Sequence, residues 1–229
     1  IFLSAKDALV KQISKDKTTP YPLAKSFTSE HYEIEKSAEG LEEFERLIVA
    51  EASKGRCLHK GKLTRKLKNE SRAGIADRNA LTDLLVFDLD GIELPGVNIR
   101  GSITSHDIHN ISEQFVALLP AEFQNVSYIT QASASLGLKG NKISLHMFFV
   151  LKNGVYPRAL KNWLKTLNYE IDLLADQLTL SANGHSLRYP LDTSVADNSK
   201  LIYIAAPKFV GVQDPIDGNR IVRITRGEP

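Results

Sequence analysis

A short apolar run that ends in two aspartates constrains the fold of this chain more than any other feature. Residues 84–87 are all apolar, which is typical of a β-strand that is buried on both faces. Asp88 and Asp90 follow directly. Because alternate residues of a strand point to the same side, the two carboxylates face one point in space.

The pairing of Asp88 with Asp90 predicts a cation site. Like charges that leave an apolar strand together repel each other and are costly to desolvate, unless a cation lies between them. Hard divalent cations take carboxylate oxygens as ligands, which favours Mg²⁺ or Mn²⁺. The alternative is a strand-end turn in which an aspartate caps the next element.

A second strand, predicted over residues 143–151, carries three polar side chains on one face. Lys142, Ser144 and His146 occupy alternate positions, so they share one side of the strand while the residues between them pack on the other. An ammonium, a hydroxyl and an imidazole in a row can contact phosphate. The alternative is a half-exposed strand whose polar face is solvated.

The remaining elements indicate a mixed α/β or α+β fold in a single domain, residues 1–229. Apolar residues at helical spacing predict helices over residues 4–13, 41–53, 109–119 and 157–178, the last beginning at Pro157. Shorter patterns predict strands over residues 126–131 and 201–204, an irregular segment over 15–35 and a polar loop over 181–188. Since the first residue is not methionine, we expect a fragment of a longer protein.

Composition excludes several classes of protein. Hydrophobic residues make up 42% and charged residues 24% of the chain, as in ordinary globular proteins. No apolar run reaches the ~18 residues of a membrane span, and the N-terminus lacks the pattern of a signal peptide. Cys57 is the only cysteine, which excludes intrachain disulfides and multi-cysteine zinc sites and predicts a cytoplasmic location.

Positive charge is concentrated in one segment, although the net charge is only +2. Two acidic residues, Glu70 and Asp77, accompany a group of basic side chains between residues 54 and 78. The basic residues are Lys54, Arg56, Lys60, Lys62, Arg65, Lys66, Lys68, Arg72 and Arg78. Such a segment favours a polyanion as partner, either phosphate or nucleic acid. The alternative is the solvated face of a helix.

The order of three motifs resembles that of the archaeo-eukaryotic primase superfamily, particularly the primase-polymerases of phages, plasmids and mobile elements. The first motif is the strand with Asp88 and Asp90. The second is similar to a Lys-Gly-x-Lys-x-Ser-x-His stretch and reads Lys139-Gly140-Asn141-Lys142-Ile143-Ser144-Leu145-His146. The third begins at Asp192 and reaches Lys200, before a short strand and Pro207. The resemblance covers roughly residues 55–210.

The resemblance implies a fold and an activity. The fold would be a primase catalytic core with an RRM-like half that bears the active site and an N-terminal α/β half that helps to bind template. The activity would be template-directed nucleotidyl transfer from (d)NTPs by a DNA primase/polymerase in the replication of a mobile element. Partners would be a single-stranded DNA template and a helicase domain or protein, in the cytoplasm of a bacterial or archaeal host, with no membrane involved.

The same resemblance assigns roles to individual residues. Two divalent ions, Mg²⁺ or Mn²⁺, would be held by Asp88, Asp90 and Asp192, although Asp197 lies within reach along the chain. The nucleotide would be bound by Lys142, Ser144, His146, Arg72 and Lys200. Lys60, Lys62 and Arg65 would contact nucleic acid. The chain departs from the family pattern at Lys200, where arginine is commoner and provides a bidentate fork for phosphate.

Two other functions remain open on the sequence. Residues 84–91 also resemble the nucleophile motif of haloacid-dehalogenase-type phosphatases, in which Asp88 would be phosphorylated. That family usually has threonine or valine where this chain has Ile92, and it places the motif near the N-terminus, whereas 87 residues precede Asp88 here. A non-catalytic DNA-binding replication module with a primase fold is the third possibility.

Overall fold

The computed structural model describes residues 1–227, which fold into several β-sheets with few helices. The strands are β1 (Phe2–Ser4), β2 (Gln12–Ser14), β3 (Thr18–Thr19), β4 (Thr28–Glu30), β5 (Cys57–His59), β6 (Thr82–Ile92), β7 (Ile103–Thr104), β8 (Tyr128–Ala132), β9 (Ile143–Val155), β10 (Thr179–Leu180), β11 (Leu187–Arg188), β12 (Leu201–Tyr203), β13 (Lys208–Val210), β14 (Ile216–Asp217) and β15 (Ile221–Ile224). The helices are α1 (Ala38–Ser53), α2 (Ser105–Val116), α3 (Pro157–Glu170) and α4 (Asp172–Ala175). The predicted mixed α/β class is confirmed.

The largest sheet joins the first and second motifs. Its strand order is β15-β8-β9-β6 and every neighbouring pair is antiparallel. Strands β6 and β9 pair along most of their length, so that Asp88 lies opposite His146 and Asp90 lies opposite Ser144. The apolar part of the same pair forms the core, where the rings of Phe87 and Phe149 meet edge to face at 5.5 Å. Strand pairing therefore brings the polar ends of the two motifs together.

A second antiparallel sheet connects the N-terminal part of the chain to the third motif. Its order is β12-β5-β1-β4, and β12 directly follows Lys200. The pairing of β12 with β5 places Leu201 opposite His59 and Tyr203 opposite Cys57. Strand β2 pairs with β13 in a further small sheet. The basic segment after β5 is therefore held close to the third motif.

Most of the predicted elements are confirmed, with shifted ends. Helix α1 begins ahead of the predicted 41–53 because the Ser37 hydroxyl accepts a hydrogen bond from the Gly40 amide (3.1 Å) and caps the first turn. Helix α2 begins at Ser105 rather than 109, after a capping box of Thr104 and Asp107. Strands β8, β9 and β12 occupy the predicted positions to within a few residues.

One predicted element is wrong, and two have different ends from those predicted. Residues 4–13 form no helix: β1 and β2 pair instead with strands from distant parts of the chain, which a local pattern does not reveal. The long helix ends at Glu170, since Ile171 adopts an extended conformation before the short α4. The strand with the aspartates is longer than the apolar run 84–87, because β6 extends from Thr82 to Ile92.

Within residues 1–227, no helix combines the length and apolar character that a bilayer crossing requires.

The remaining predicted irregular regions contain short strands: β3 and β4 lie within residues 15–35, and β10 and β11 form a hairpin around the predicted loop 181–188. This hairpin borders the candidate site described below.

Stability should depend on pH through one buried histidine. His59 is 1% exposed, and burial lowers its pKa from 6.5 to about 4, although the hydrogen bond between Nδ1 and the Gly61 carbonyl opposes the shift. The unfolded chain binds a proton at His59 more readily than the folded protein does. The contribution of His59 to the free energy of unfolding is therefore complete above pH 6.5 and is lost as the pH falls through 4. We expect His59 to remove on the order of 3 kcal/mol of unfolding free energy across that window.

Urea unfolding at a series of pH values from neutral to acidic measures the slope of the free energy of unfolding against pH. His59→Gln should flatten it, whereas His106→Gln, at an exposed position on α2, should leave it unchanged. An identical slope in wild type and His59→Gln would contradict the assignment.

Candidate active site

The three aspartates of the first and third motifs meet at one cleft. Backbone pairing outside the main sheet positions Asp192: its amide donates to the Asp88 carbonyl (2.9 Å), and the Asp90 amide donates to the Pro190 carbonyl (3.3 Å). Asp197 is not part of the group, because its carboxylate accepts from the amide (2.7 Å) and hydroxyl (2.8 Å) of Ser199 and closes a turn. The cleft measures about 460 Å³ and is lined by Asp88, Asp90, Ser181, Ser186, Leu187, Arg188, Tyr189, Asp192 and Thr193.

The folded protein affects the ionisation of Asp88 and Asp192 in opposite directions. Burial raises the pKa of Asp88; the nearby His146 opposes this, while the charges of Asp192 and Asp90 add to it. Burial also acts to raise the pKa of Asp192, but hydrogen bonds from Ser194 and the charge of Lys200 outweigh it, so that this pKa is lowered. The folded protein thus stabilises the charge of Asp192 and disfavours that of Asp88.

Each carboxylate has a basic side chain as its neighbour. His146 Nε2 lies 3.5 Å from Asp88 Oδ1, Arg188 Nη2 donates to Asp90 Oδ2 at 3.0 Å, and Lys200 Nζ donates to Asp192 Oδ2 at 3.1 Å. Arg188 and Lys200 offset part of the negative charge of the cluster in the free protein, and His146 does so only when its ring is protonated.

The donor set suits a hard divalent cation, although it is not a closed ligand cage. Three carboxylates that share a cleft, one of them desolvated among like charges, provide the oxygen donors that Mg²⁺ and Mn²⁺ prefer. In the part of the chain that the structure describes, no group of three or more His, Cys, Asp or Glu side chains is arranged to hold a metal ion. Metal binding by Asp88, Asp90 and Asp192 therefore stays a prediction.

The three side chains predicted to contact phosphate, Lys142, Ser144 and His146, lie in different environments. Ser144 is buried, and its hydroxyl accepts from the Gly91 amide (3.2 Å), so it supports the turn that follows Asp90. Lys142 is exposed and lies 3.9 Å from Glu93, in a second cleft of about 350 Å³ that also contains Lys139 and Arg188. Only His146 directly approaches an aspartate of the site.

Arg72 and Lys200 come together despite their separation in sequence. Arg72 Nη1 donates to the Ser199 carbonyl at 2.6 Å, and its guanidinium lies 5.9 Å from the centre of the Phe27 ring. Both basic side chains line a cleft of about 410 Å³, together with Lys161. Arg72 also borders a larger cleft of about 850 Å³. This grouping suits an anionic ligand.

The three predicted nucleic-acid contacts differ in exposure. Lys60 does not lie on the surface: it is 6% exposed, its ammonium donates to Thr82 Oγ1 (3.2 Å), and burial lowers its pKa to about 8. The nucleic-acid contact predicted at Lys60 does not fit this placement, because β5 and the two residues that follow it are buried. Lys62 and Arg65 are exposed, and Arg65 Nη2 forms an ion pair with Glu70 Oε2 at 2.6 Å.

Several residues of the site were not found from the sequence. Arg188 is exposed over 63% of its side chain and borders two clefts. Burial lowers the pKa of Lys11, while the charges of Asp90 and Asp88 oppose the shift. No local pattern distinguishes Lys11. Asn168, in contrast, is an amide inside the apolar stripe of α3, and that signal could have identified it, whereas Gln131 lies in a strand of mixed polarity.

Comparisons of the chain with protein-family models, with curated proteins and with solved structures find no match. The function must be inferred from the geometry of the site. Clustered carboxylates can hold cations, and the surrounding lysines and arginines can hold the phosphates of a ligand.

Proposed function

We propose that this chain is the catalytic domain of a DNA primase/polymerase, which joins nucleotides on a DNA template by a two-metal mechanism. Support comes from one observation: strand pairing brings the aspartates of the first and third motifs, about a hundred residues apart, to one cleft and places His146 of the second motif beside Asp88. In this proposal the β15-β8-β9-β6 sheet is the RRM-like half of a primase core, and the N-terminal part is the half that helps to bind template. The protein would act in the cytoplasm of a bacterial or archaeal host, in replication of a phage, plasmid or other mobile element.

The reaction forms a bond between the 3′-oxygen of a growing strand and the α-phosphorus of a nucleoside triphosphate. The bond from this phosphorus to the oxygen of the β-phosphate breaks, pyrophosphate leaves, and the hydroxyl proton passes to water. Divalent ions, Mg²⁺ or Mn²⁺, supply activation of the hydroxyl and neutralisation of the triphosphate when bound. Asp88, Asp90 and Asp192 would hold them.

The basic side chains would bind and orient the triphosphate. Arg188 and Lys200 contact carboxylates in the free protein, and both are exposed enough to turn to phosphate oxygens once the aspartates are neutralised by cations. Arg72 and Lys142 approach from the clefts on either side. Their contribution is positioning and charge stabilisation rather than covalent chemistry.

The template would lie along the basic surface of the N-terminal part. Lys62 and Arg65 are exposed there, and the large cleft beside Arg72 also contains Lys25 and Arg78. Contacts of this kind neutralise backbone phosphates without reading sequence. A helicase domain or protein is the expected partner, since single-stranded template must be supplied.

The decisive experiment is incorporation of labelled nucleotides on primed and unprimed single-stranded DNA with Mg²⁺ or Mn²⁺. Synthesis by the wild type should disappear in Asp88→Ala/Asp90→Ala. It should persist in Asp172→Ala/Asp176→Ala, a matched acidic pair that is exposed at α4.

Two results would replace the proposal. No synthesis on any template, together with phosphate release from small phosphoesters and a phosphoaspartyl intermediate, would identify a phosphatase that uses Asp88. DNA binding that survives Asp88→Ala/Asp90→Ala, without synthesis by the wild type, would identify a non-catalytic replication module.

A further inference from the structure

A row of three side chains crosses the main sheet at the candidate site. Gln131 on β8 lies opposite His146 on β9, and His146 lies opposite Asp88 on β6. Residues that are register partners on neighbouring strands project to the same face of the sheet. Gln131 is 2% exposed, so it lies behind the histidine and has no access to a ligand in the cleft.

The hydrogen bonds of Gln131 determine which way its amide faces. Its Nε2 donates to the Ile204 carbonyl at 2.6 Å. A carbonyl can only accept, so the amide nitrogen must point to Ile204 and the amide oxygen must point to His146. The distance from Gln131 Oε1 to His146 Nδ1 is 3.1 Å.

The amide oxygen in turn determines the tautomer of the imidazole. Gln131 Oε1 only accepts and lies within hydrogen-bond distance of Nδ1, whereas the contact of Nε2 with the Asp88 carboxylate is too long for a hydrogen bond of good geometry, so the proton of the neutral His146 ring lies on Nδ1. The other nitrogen, Nε2, is then directed at Asp88, 3.5 Å from its Oδ1. A ring without this partner could rotate or exchange its proton between the two nitrogens.

We infer that Gln131 is a positioning residue, which holds the His146 ring with Nδ1 protonated and with Nε2 directed at Asp88, so that a second proton on the ring lets Nε2 donate to a phosphate oxygen. The inference rests on the proposed function, in which His146 contacts the triphosphate. Gln131 also joins two motifs, since Ile204 follows β12, the strand after the third motif. A shift of that strand would be transmitted to the histidine through a single amide.

The consequence for nucleotide binding is specific. If Gln131 orients the group that contacts the triphosphate, its loss should raise the KM for the nucleotide about 10-fold. The KM for the primed template should stay unchanged, because Gln131 lies behind His146 and away from the predicted template surface. A defect of folding alone would lower the amount of active enzyme and leave both KM values as they are.

Three variants test this assignment. Gln131→Met keeps the length of the side chain and removes both hydrogen bonds. Gln131→Glu keeps an oxygen acceptor for Nδ1, so the neutral ring should keep its proton on Nδ1. Thr130→Val is the matched control: Thr130 is the preceding residue of β8, it is fully buried, and its hydroxyl has no hydrogen-bond partner among the described residues.

The tautomer is read from the ¹⁵N chemical shifts of the imidazole in histidine-labelled protein, without nucleotide and at a pH where the ring is neutral. His146→Gln assigns its signal among the 6 histidines of the chain. We expect the Nδ1–H form in wild type, Thr130→Val and Gln131→Glu, and the Nε2–H form in Gln131→Met.

Either of two results would overturn the inference: an Nε2–H ring in wild type, or an unchanged nucleotide KM in Gln131→Met. Failure of the proposed function has a different signature. Wild type would then incorporate no nucleotide, while the ¹⁵N shifts would still show whether Gln131 orients His146.

Discussion

Asp88→Asn is expected to abolish nucleotide incorporation and, at the same time, to make the folded protein more stable. Burial, together with the charges of Asp192 and Asp90, raises the pKa of Asp88. The folded state therefore holds this proton more tightly than the unfolded state does, and at neutral pH the ionised carboxylate destabilises the fold. A neutral amide of the same shape removes that penalty and also removes a predicted metal ligand.

Asp192→Asn should also abolish activity, with the opposite effect on stability. The pKa of Asp192 is lowered, because Ser194 and Lys200 outweigh the effect of burial, so the folded state favours its charge. Loss of that charge should therefore destabilise the protein at neutral pH. We expect incorporation to fall about 100-fold or more in either variant, as for loss of a metal ligand.

Chemical unfolding and incorporation assays on the same preparations separate the two effects. The extra stability of Asp88→Asn over wild type should shrink as the pH falls toward the pKa of Asp88. The lower stability of Asp192→Asn should approach that of wild type only below pH 3.8, the ordinary pKa of an aspartate. Asp172→Asn, at an exposed position, should match wild type in both assays. A less stable Asp88→Asn protein would contradict the charge distribution described here.

The parts of the site that could be predicted from sequence lie on long, regular strands. Apolar residues 84–87 and the strand from residue 143 are unambiguous, and a period of two determines which side chains share a face. That reasoning puts Asp88 with Asp90, and Ser144 with His146. It does not show that the two strands are neighbours, which depends on the pairing of β6 with β9.

Long-range pairing explains most of what sequence reasoning missed. Residues 4–13 have apolar residues at helical spacing, yet Leu9 is buried in a loop and Ile13 in a strand that pairs with β13, far along the chain. Lys60 belongs to a basic segment, and only the tertiary structure shows that its ammonium reaches Thr82. Charge composition predicts a polyanion surface but does not indicate which of its members are exposed.

Asn168 illustrates a signal that is present in the sequence but easily overlooked. It falls in the apolar stripe of α3 with Leu160, Leu164 and Leu167, and it is completely buried. A buried amide in such a position requires hydrogen-bond partners. They are supplied by Leu191, the residue before Asp192, whose amide donates to Asn168 Oδ1 (3.0 Å) and whose carbonyl accepts from Asn168 Nδ2 (3.0 Å).

Asn168→Leu is therefore expected to lower the free energy of unfolding by about 3 kcal/mol, since two buried backbone groups of Leu191 lose their partners. Urea unfolding measures this cost. Asn162→Leu is the control, because it makes the same change at an exposed position of the same helix and should have little effect on stability.

Asn168→Leu should lower nucleotide incorporation by more than its smaller amount of folded protein explains. One edge of the segment 190–192 pairs with β6, and the Asn168 amide covers the other edge at Leu191. Without the amide, Leu191 can turn toward water, and Asp192 is then no longer held beside Asp88. Asn168→Leu should thus lower the incorporation rate per folded molecule about 10-fold, while Asn162→Leu keeps the wild-type rate. Full activity per folded molecule in Asn168→Leu would mean that pairing with β6 alone positions Asp192.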